Sequence, residues 1–182
     1  MALVKGTNCG FVLAAPVADP AGNGFQCSDK ANALKDVAPV GAMRVVEIGW
    51  WCDNATEAAD YDMALYDHDS GNDRPGNRLY VIANQAKGTS GGEWKTVAVD
   101  WAVSGSTTYW IALQLDDTAT TTNTDYTASG GRNSRYEGIT ALPDPWGGLT
   151  ESTAIFAIYA KYETGGAPST SQSVFTNNRR RR

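Results

Sequence analysis

Tyr61-Asp-Met-Ala-Leu-Tyr-Asp-His-Asp-Ser-Gly-Asn-Asp-Arg-Pro-Gly-Asn-Arg-Leu-Tyr80 decides the fold of this chain. Tyr61, Met63 and Leu65 alternate with Asp60, Asp62 and Ala64, the period of a strand with one buried face. A loop dense in Asp, Gly and Pro follows, and Arg78–Ala83 returns as a second strand. Pro75-Gly76 and the alternation on either side of the loop mark an antiparallel hairpin.

The same signals repeat on both sides of this unit. Phe11–Ala15 reads as a short first strand, closed by Pro16 and the turn cluster Asp19-Pro-Ala-Gly-Asn-Gly24, and Ala31–Val37 reads as another. Met43–Cys52 places Val46, Ile48, Trp50 and Cys52 on one face. Asn54–Tyr61 is a loop or one helical turn capped by Asn54. Trp94–Val103 aligns Val97, Val99, Trp101 and Val103, and Thr108–Leu115 alternates Tyr109, Ile111, Leu113 and Leu115 with Trp110, Ala112 and Gln114. With only Ser104-Gly-Ser106 making the connection, these two runs are expected to pair as a hairpin.

Asp116–Leu149 is long and polar, with Asp125–Ala128 and Ser134–Glu137 as candidate strands. Thr153–Glu163 is apolar on both faces, the pattern of a central strand. About eight or nine such strands predict an all-β fold, an antiparallel β-sandwich with jelly-roll topology. Residues 1–163 are expected to form one domain with an N-terminal arm, and 164–182 a flexible linker and Arg-rich tail.

Composition agrees. The chain has 182 residues, enough for one sizeable core, and 19 of them are Gly. The net charge of −5 hides an asymmetry: all 20 acidic residues lie at or before Glu163, and four of the 15 basic ones are Arg179 to Arg182. The body thus carries 11 basic against 20 acidic groups, or −9, which argues against a nucleic-acid face on the folded part. The residues after Met1 lack the pattern of a secretory leader, and the longest apolar run, Ala154–Ala160, is seven residues, far short of a membrane span. No membrane partner is expected.

Several groups invite chemistry. Asp67, Asp69 and Asp73 alternate in a way that suits a hard cation such as calcium. Against that, Gly71 takes the third ligand position of a calcium loop, Asn72 the turn-glycine position, and no Glu follows at the twelfth place. Asp and Asn also stabilise turns by bonding their own backbone, so a turn with no cofactor is the first reading and calcium the alternative. Trp51, Trp110, Trp146 and Tyr126 are candidates for stacking on sugar rings, against burial as the ordinary fate of any single Trp.

His68 is the only histidine; no nucleophile motif accompanies it, and acid pairs such as Asp116 and Asp117 are read as solvated turn residues. Cys9, Cys27 and Cys52 allow one disulfide, most simply Cys9–Cys27, against buried free thiols. Val174 and Phe175 form a short apolar anchor before Arg179, Arg180, Arg181 and Arg182. A +4 tail suits contact with the −9 body of a neighbouring subunit, with a disordered end as the alternative and nucleic acid after that. Asn54-Ala-Thr56 is a glycosylation sequon with nothing else to give it a setting.

From Glu47 to about Gly147 the sequence resembles the jelly-roll modules of secreted bacterial surface proteins and phage structural proteins. The resemblance rests on Ile48-Gly-Trp-Trp-Cys-Asp-Asn-Ala-Thr56, Leu65-Tyr-Asp-His-Asp-Ser-Gly71 with Pro75-Gly76, Tyr109-Trp-Ile-Ala-Leu-Gln-Leu-Asp116 and Leu142-Pro-Asp-Pro-Trp-Gly147. It implies a non-catalytic part of an appendage, shell or adhesin, located on a virion or cell exterior, with homo-oligomeric or neighbouring structural subunits as partners. It supplies no functional residues. A carbohydrate-binding module is the alternative expectation.

Overall fold

The structure is a computed structural model and describes residues 1–165 apart from 17, 21, 117–120, 129 and 148–149. Those residues form no helix and thirteen strands. In chain order they are β1 (Cys9–Gly10), β2 (Asn23–Gln26), β3 (Lys30–Val37), β4 (Ala42–Cys52), β5 (Asp60–Asp69), β6 (Arg74–Ala86) and β7 (Glu93–Ala102). Then follow β8 (Thr108–Leu115), β9 (Asn123–Thr127), β10 (Asn133–Glu137), β11 (Thr150–Ser152), β12 (Ile155–Phe156) and β13 (Ile158–Thr164). The count exceeds eight or nine because β2 begins within the turn cluster that ends at Gly24, β11 follows the polar segment, and the last apolar run splits into β12 and β13. The strands β9 and β10 fall where the sequence places them.

One sheet has the order β1-β13-β4-β7, a second β11-β10-β3-β8-β5-β6, and a small third β12-β9-β2, all antiparallel. The first two face each other across the main core. Val45, Ile48 and Trp50 of β4 and Ile158 of β13 enter it from one side, Tyr61, Met63 and Leu65 of β5 and Ile111 and Leu113 of β8 from the other. The expected alternation of β5 and β8 is therefore observed. Through β1, β3 to β8 and β13 the chain crosses from one large sheet to the other at every step except β5 to β6.

Several local expectations are corrected. β1 is only Cys9–Gly10; Phe11 turns away from strand geometry at φ 72°, held there by its N–H donating to Asp36 Oδ2 at 2.6 Å. On β4 the register slips between Val45 and Glu47, so Val45, not Val46, joins Ile48 and Trp50 in the core. β7 and β8 are not a hairpin: β7 pairs with β4, β8 with β3 and β5. Each run has its own apolar face, and an arch lets those faces meet across the core, whereas a hairpin would put both in one sheet. Gly105 makes the arch possible, since a Cβ there would lie 2.6 Å from the Gly41 nitrogen.

The turn of the β5–β6 hairpin is residues 70–73, while Pro75 and Gly76 lie inside β6, with Pro75 opposite His68. Residues 53–59 contain no helical turn. The run 153–163 splits at Ala157 into β12, which pairs with β9, and β13, which is internal between β1 and β4.

The middle of the six-stranded sheet is buried on its outer face as well. Ala33, Ala112 and Ala64 stand side by side in register across β3, β8 and β5. Their small side chains leave a trough, and residues 139–147 lie over it with Leu142 and Trp146 inserted beside Tyr66 and Trp110. Tyr66 Oη donates to the Pro143 carbonyl at 2.7 Å, Arg78 Nη1 to the Leu142 carbonyl at 2.6 Å, and Trp146 Nε1 to Ser134 Oγ at 3.0 Å. This cover explains why Trp110, Ala112 and Gln114 are as buried as the core face of the same strand. No helix of the described residues is long and apolar enough to cross a membrane.

Candidate functional site

The three aspartates of the hairpin serve three separate purposes. Asp67 accepts the Asn77 backbone N–H on Oδ1 at 2.6 Å and the Asn77 amide on Oδ2 at 3.1 Å. That clasp needs Gly76, where an added Cβ would sit 2.2 Å from Asp67 Oδ1. Asp69 ties down the turn, accepting from the Asn72 side chain at 2.7 Å and from the Gly71 N–H at 3.0 Å. The Asn72 amide first, then these backbone donors, hold its carboxyl below the usual range. Asp73 lies between Lys35 Nζ at 2.6 Å and Arg132 Nε at 3.2 Å, and Arg132 also pairs with Glu151. Among the described residues no three His, Cys, Asp or Glu side chains gather as a metal site. Each of the three carboxylates has its own partners.

His68 borders this cluster. Its Nδ1 accepts from Trp110 Nε1 at 3.2 Å, which directs the Nε2 side toward Asp73 Oδ1, 3.8 Å away. A polar cleft of about 390 Å³ opens here between Asp67, His68, Asp69, Arg74 and Trp146. Asp116 accepts the Asp60 N–H at 2.9 Å, and Asp117 lies outside the described residues.

The proposed sugar platform is not assembled. Trp51, Trp110 and Trp146 are 6%, 0% and 3% exposed, so none offers a ring face to a sugar. Trp51 packs edge-on against Trp94 at 5.7 Å, and Trp146 against Tyr66 at 5.4 Å. Tyr126 is half-buried against Phe25 and Phe156.

The Cys9–Cys27 staple is also absent: all three thiols are free and buried. Cys9 packs with Val12 and Tyr159 beneath the N-terminal arm, whereas Cys27 belongs to the main core and accepts from Asn32 Nδ2 at 3.3 Å. Burial pushes the Cys9 thiol up to about 11 and the Cys27 thiol up to about 12. Val174, Phe175 and Arg179 to Arg182 lie outside the described residues.

A second cleft, of about 260 Å³, was not foreseen from sequence. Leu13, Pro16 and Ala18 of the arm line one part of it, Trp94, Ile155 and Phe156 the rest, with Asp19 and Asp125 also on its wall. Trp94 Nε1 donates to the Ala18 carbonyl at 3.3 Å, and the Gly22 N–H donates to Asp125 Oδ2 at 3.3 Å, which holds the arm over the gap. Asp125 is 7% exposed, and its carboxyl sits above the usual range. Burial is the main cause, the Gly22 N–H opposes it, and the negative charges of Asp53 and Asp19 add to it. An apolar cavity with an acidic rim results. The one signal in the sequence was an acid inside a strand-like run, Asp125 beside Tyr126, a placement strands disfavour.

Comparisons of the chain with protein-family models, with curated proteins and with solved structures found no match.

Proposed function

We propose that this chain is a non-enzymatic β-sandwich subunit that builds or decorates a larger surface assembly, a virion or an extracellular filament. The edge strand β6 carries this reading. It is 13 residues long and, among the described residues, pairs on one side only, with β5. From Leu79 to Ala86 it reads Leu-Tyr-Val-Ile-Ala-Asn-Gln-Ala, with no charge and no proline. Edges of this length are ordinarily blunted by Lys, Pro, bulges or a covering segment, because their free N–H and C=O groups recruit another strand. Here irregularities at Leu79 and at residues 83–84 leave residues 80–82 as the regular run. Leu79 and Val81 add apolar side chains that are 41% and 40% exposed.

β7, the edge of the other sheet, runs along the same flank, where Tyr80 stacks on Trp101 at 5.6 Å and 7°. The flank thus offers two sheet edges at once for strand addition by a neighbour. The strand orders β1-β13-β4-β7 and β3-β8-β5-β6 support a jelly-roll reading, a fold that recurs in viral shells and lectins. That likeness bears on fold and leaves function to the edge itself.

The test is the mass of the full chain by light scattering over a wide concentration range, together with electron microscopy. Assembled particles are expected, and Leu79→Lys combined with Val81→Lys should shift them toward monomer while leaving the thermal midpoint nearly unchanged. A strict monomer at every concentration would overturn the reading.

A further inference from the structure

The cleft beneath the N-terminal arm and the chain beyond β13 have complementary chemistry. The cleft is apolar within, lined by Leu13, Trp94, Ile155 and Phe156, and its wall carries Asp19 and Asp125. The negative charges of Asp53 and Asp19 both act on Asp125. Residues 166–182 contain Val174-Phe175, the only aromatic residue after Tyr162, and then Arg179 to Arg182 with no acid among them. An apolar pair followed within four to eight residues by guanidinium groups matches an apolar hole with an acidic border.

Geometry then bears on whose tail fills whose cleft. Ala157 lines the cleft, and β13 leads away from it to Thr164, which pairs with Ala42 at the other end of β4. Seven residue steps along a strand place that exit about 23 Å from the cleft. The eleven residues from Gly165 to Phe175 include Gly-Gly-Ala-Pro-Ser-Thr-Ser-Gln-Ser, a composition for which a coil has a root-mean-square reach of about 17–20 Å. Returning to its own cleft would stretch this linker a little past its resting span. A neighbour stacked pole to pole brings its cleft to the exit directly.

We infer that Val174-Phe175 of one copy inserts into the cleft under the N-terminal arm of a second copy, with the following arginines set against Asp19, Asp53 and Asp125. This rests on the structural-subunit reading and gives it a direction. The contact is heterologous, one pole against the opposite pole, so it propagates into rings or filaments.

The experiment places a photo-crosslinking benzoylphenylalanine at Phe175 in the full chain. Isotopically heavy and light chains are mixed, irradiated and mapped by mass spectrometry. Heavy–light crosslinks from position 175 to residues 12–16, 94 or 155–157 are expected. Crosslinks to those residues only within one chain would overturn insertion into a neighbour, and crosslinks elsewhere would overturn the cleft as the receptor. Phe175→Ser in the otherwise intact chain should raise the concentration for half-assembly by about tenfold or more, and added salt should weaken what remains. If the particle mass shows assembly while position 175 crosslinks elsewhere, this inference fails and the subunit reading stands. A monomer throughout fails both.

Discussion

Gly76 and Asp67 show how tightly single residues are committed in this chain. With no side chain at Gly76, the Asp67 carboxylate folds over the backbone and closes on Asn77 through two hydrogen bonds. Gly76→Ala puts a methyl where the carboxylate oxygen lies, so it should cost about 1–3 kcal/mol in urea unfolding. Asp67→Asn should cost less, because an amide oxygen can still accept one of the two bonds.

The thiols predict a pH dependence. An unfolded cysteine releases its proton from about its ordinary value of 9.0, while burial holds Cys9 to about 11 and Cys27 to about 12. Above pH 9 the folded chain therefore binds more protons than the unfolded one, and stability falls as pH rises. The contribution is intact below pH 9 and is lost progressively toward 11 to 12. The urea midpoint should be lower at pH 10.5 than at pH 8. In the native state at pH 8, Ellman's reagent should find none of the three thiols in the fast phase, and all three after unfolding.

At the scale of elements, what was legible followed from period and what was not followed from partnership. Alternation in Tyr61–Leu65 and Tyr109–Leu115 assigned the core faces correctly, because a strand's inward face depends only on its own side chains. The pairing of β7 with β8 was misread. A short Ser-Gly-Ser link serves a hairpin and an arch equally, and the choice is made by where distant β4 and β3 lie. The outer face of β8 was equally opaque: its burial depends on residues 139–147, which have no period at all.

The candidate site divides in the same way. Asp69 was legible as a turn residue from local spacing, whereas the clasp of Asp67 on Asn77 and the pairing of Asp73 with Lys35 and Arg132 depend on partners outside the turn. The arm cleft draws its walls from four separated stretches and left only Asp125 as a trace. Two substitutions test these elements. Gly105→Ala brings a methyl onto the Gly41 nitrogen and the Pro39 carbonyl, and should destabilise by about 1–3 kcal/mol. Trp146→Ala should cost about 3–5 kcal/mol and make the otherwise buried Trp110 accessible to acrylamide quenching.

For the molecule as a whole, β5–β6 and β10–β11 are the pairings between consecutive strands within the two large sheets; the other neighbours there come from far along the chain. Closing such distant contacts costs loop entropy before they stabilise anything, so refolding should take roughly milliseconds to seconds. Stopped-flow tryptophan fluorescence will measure this, and a microsecond phase carrying the full amplitude would contradict the topology. β13 has one further consequence, which concerns force. A pull between Gly165 and the arm cleft runs along the strand and loads all its bonds to β4 together, in shear. A pull between residue 1 and Gly165 enters both strands at one end, where Cys9 faces Lys161, and peels the two-residue β1 away one bond at a time. The same strand is thus a rope in one direction and a zipper in the other, and a pole-to-pole filament would pull only on the rope.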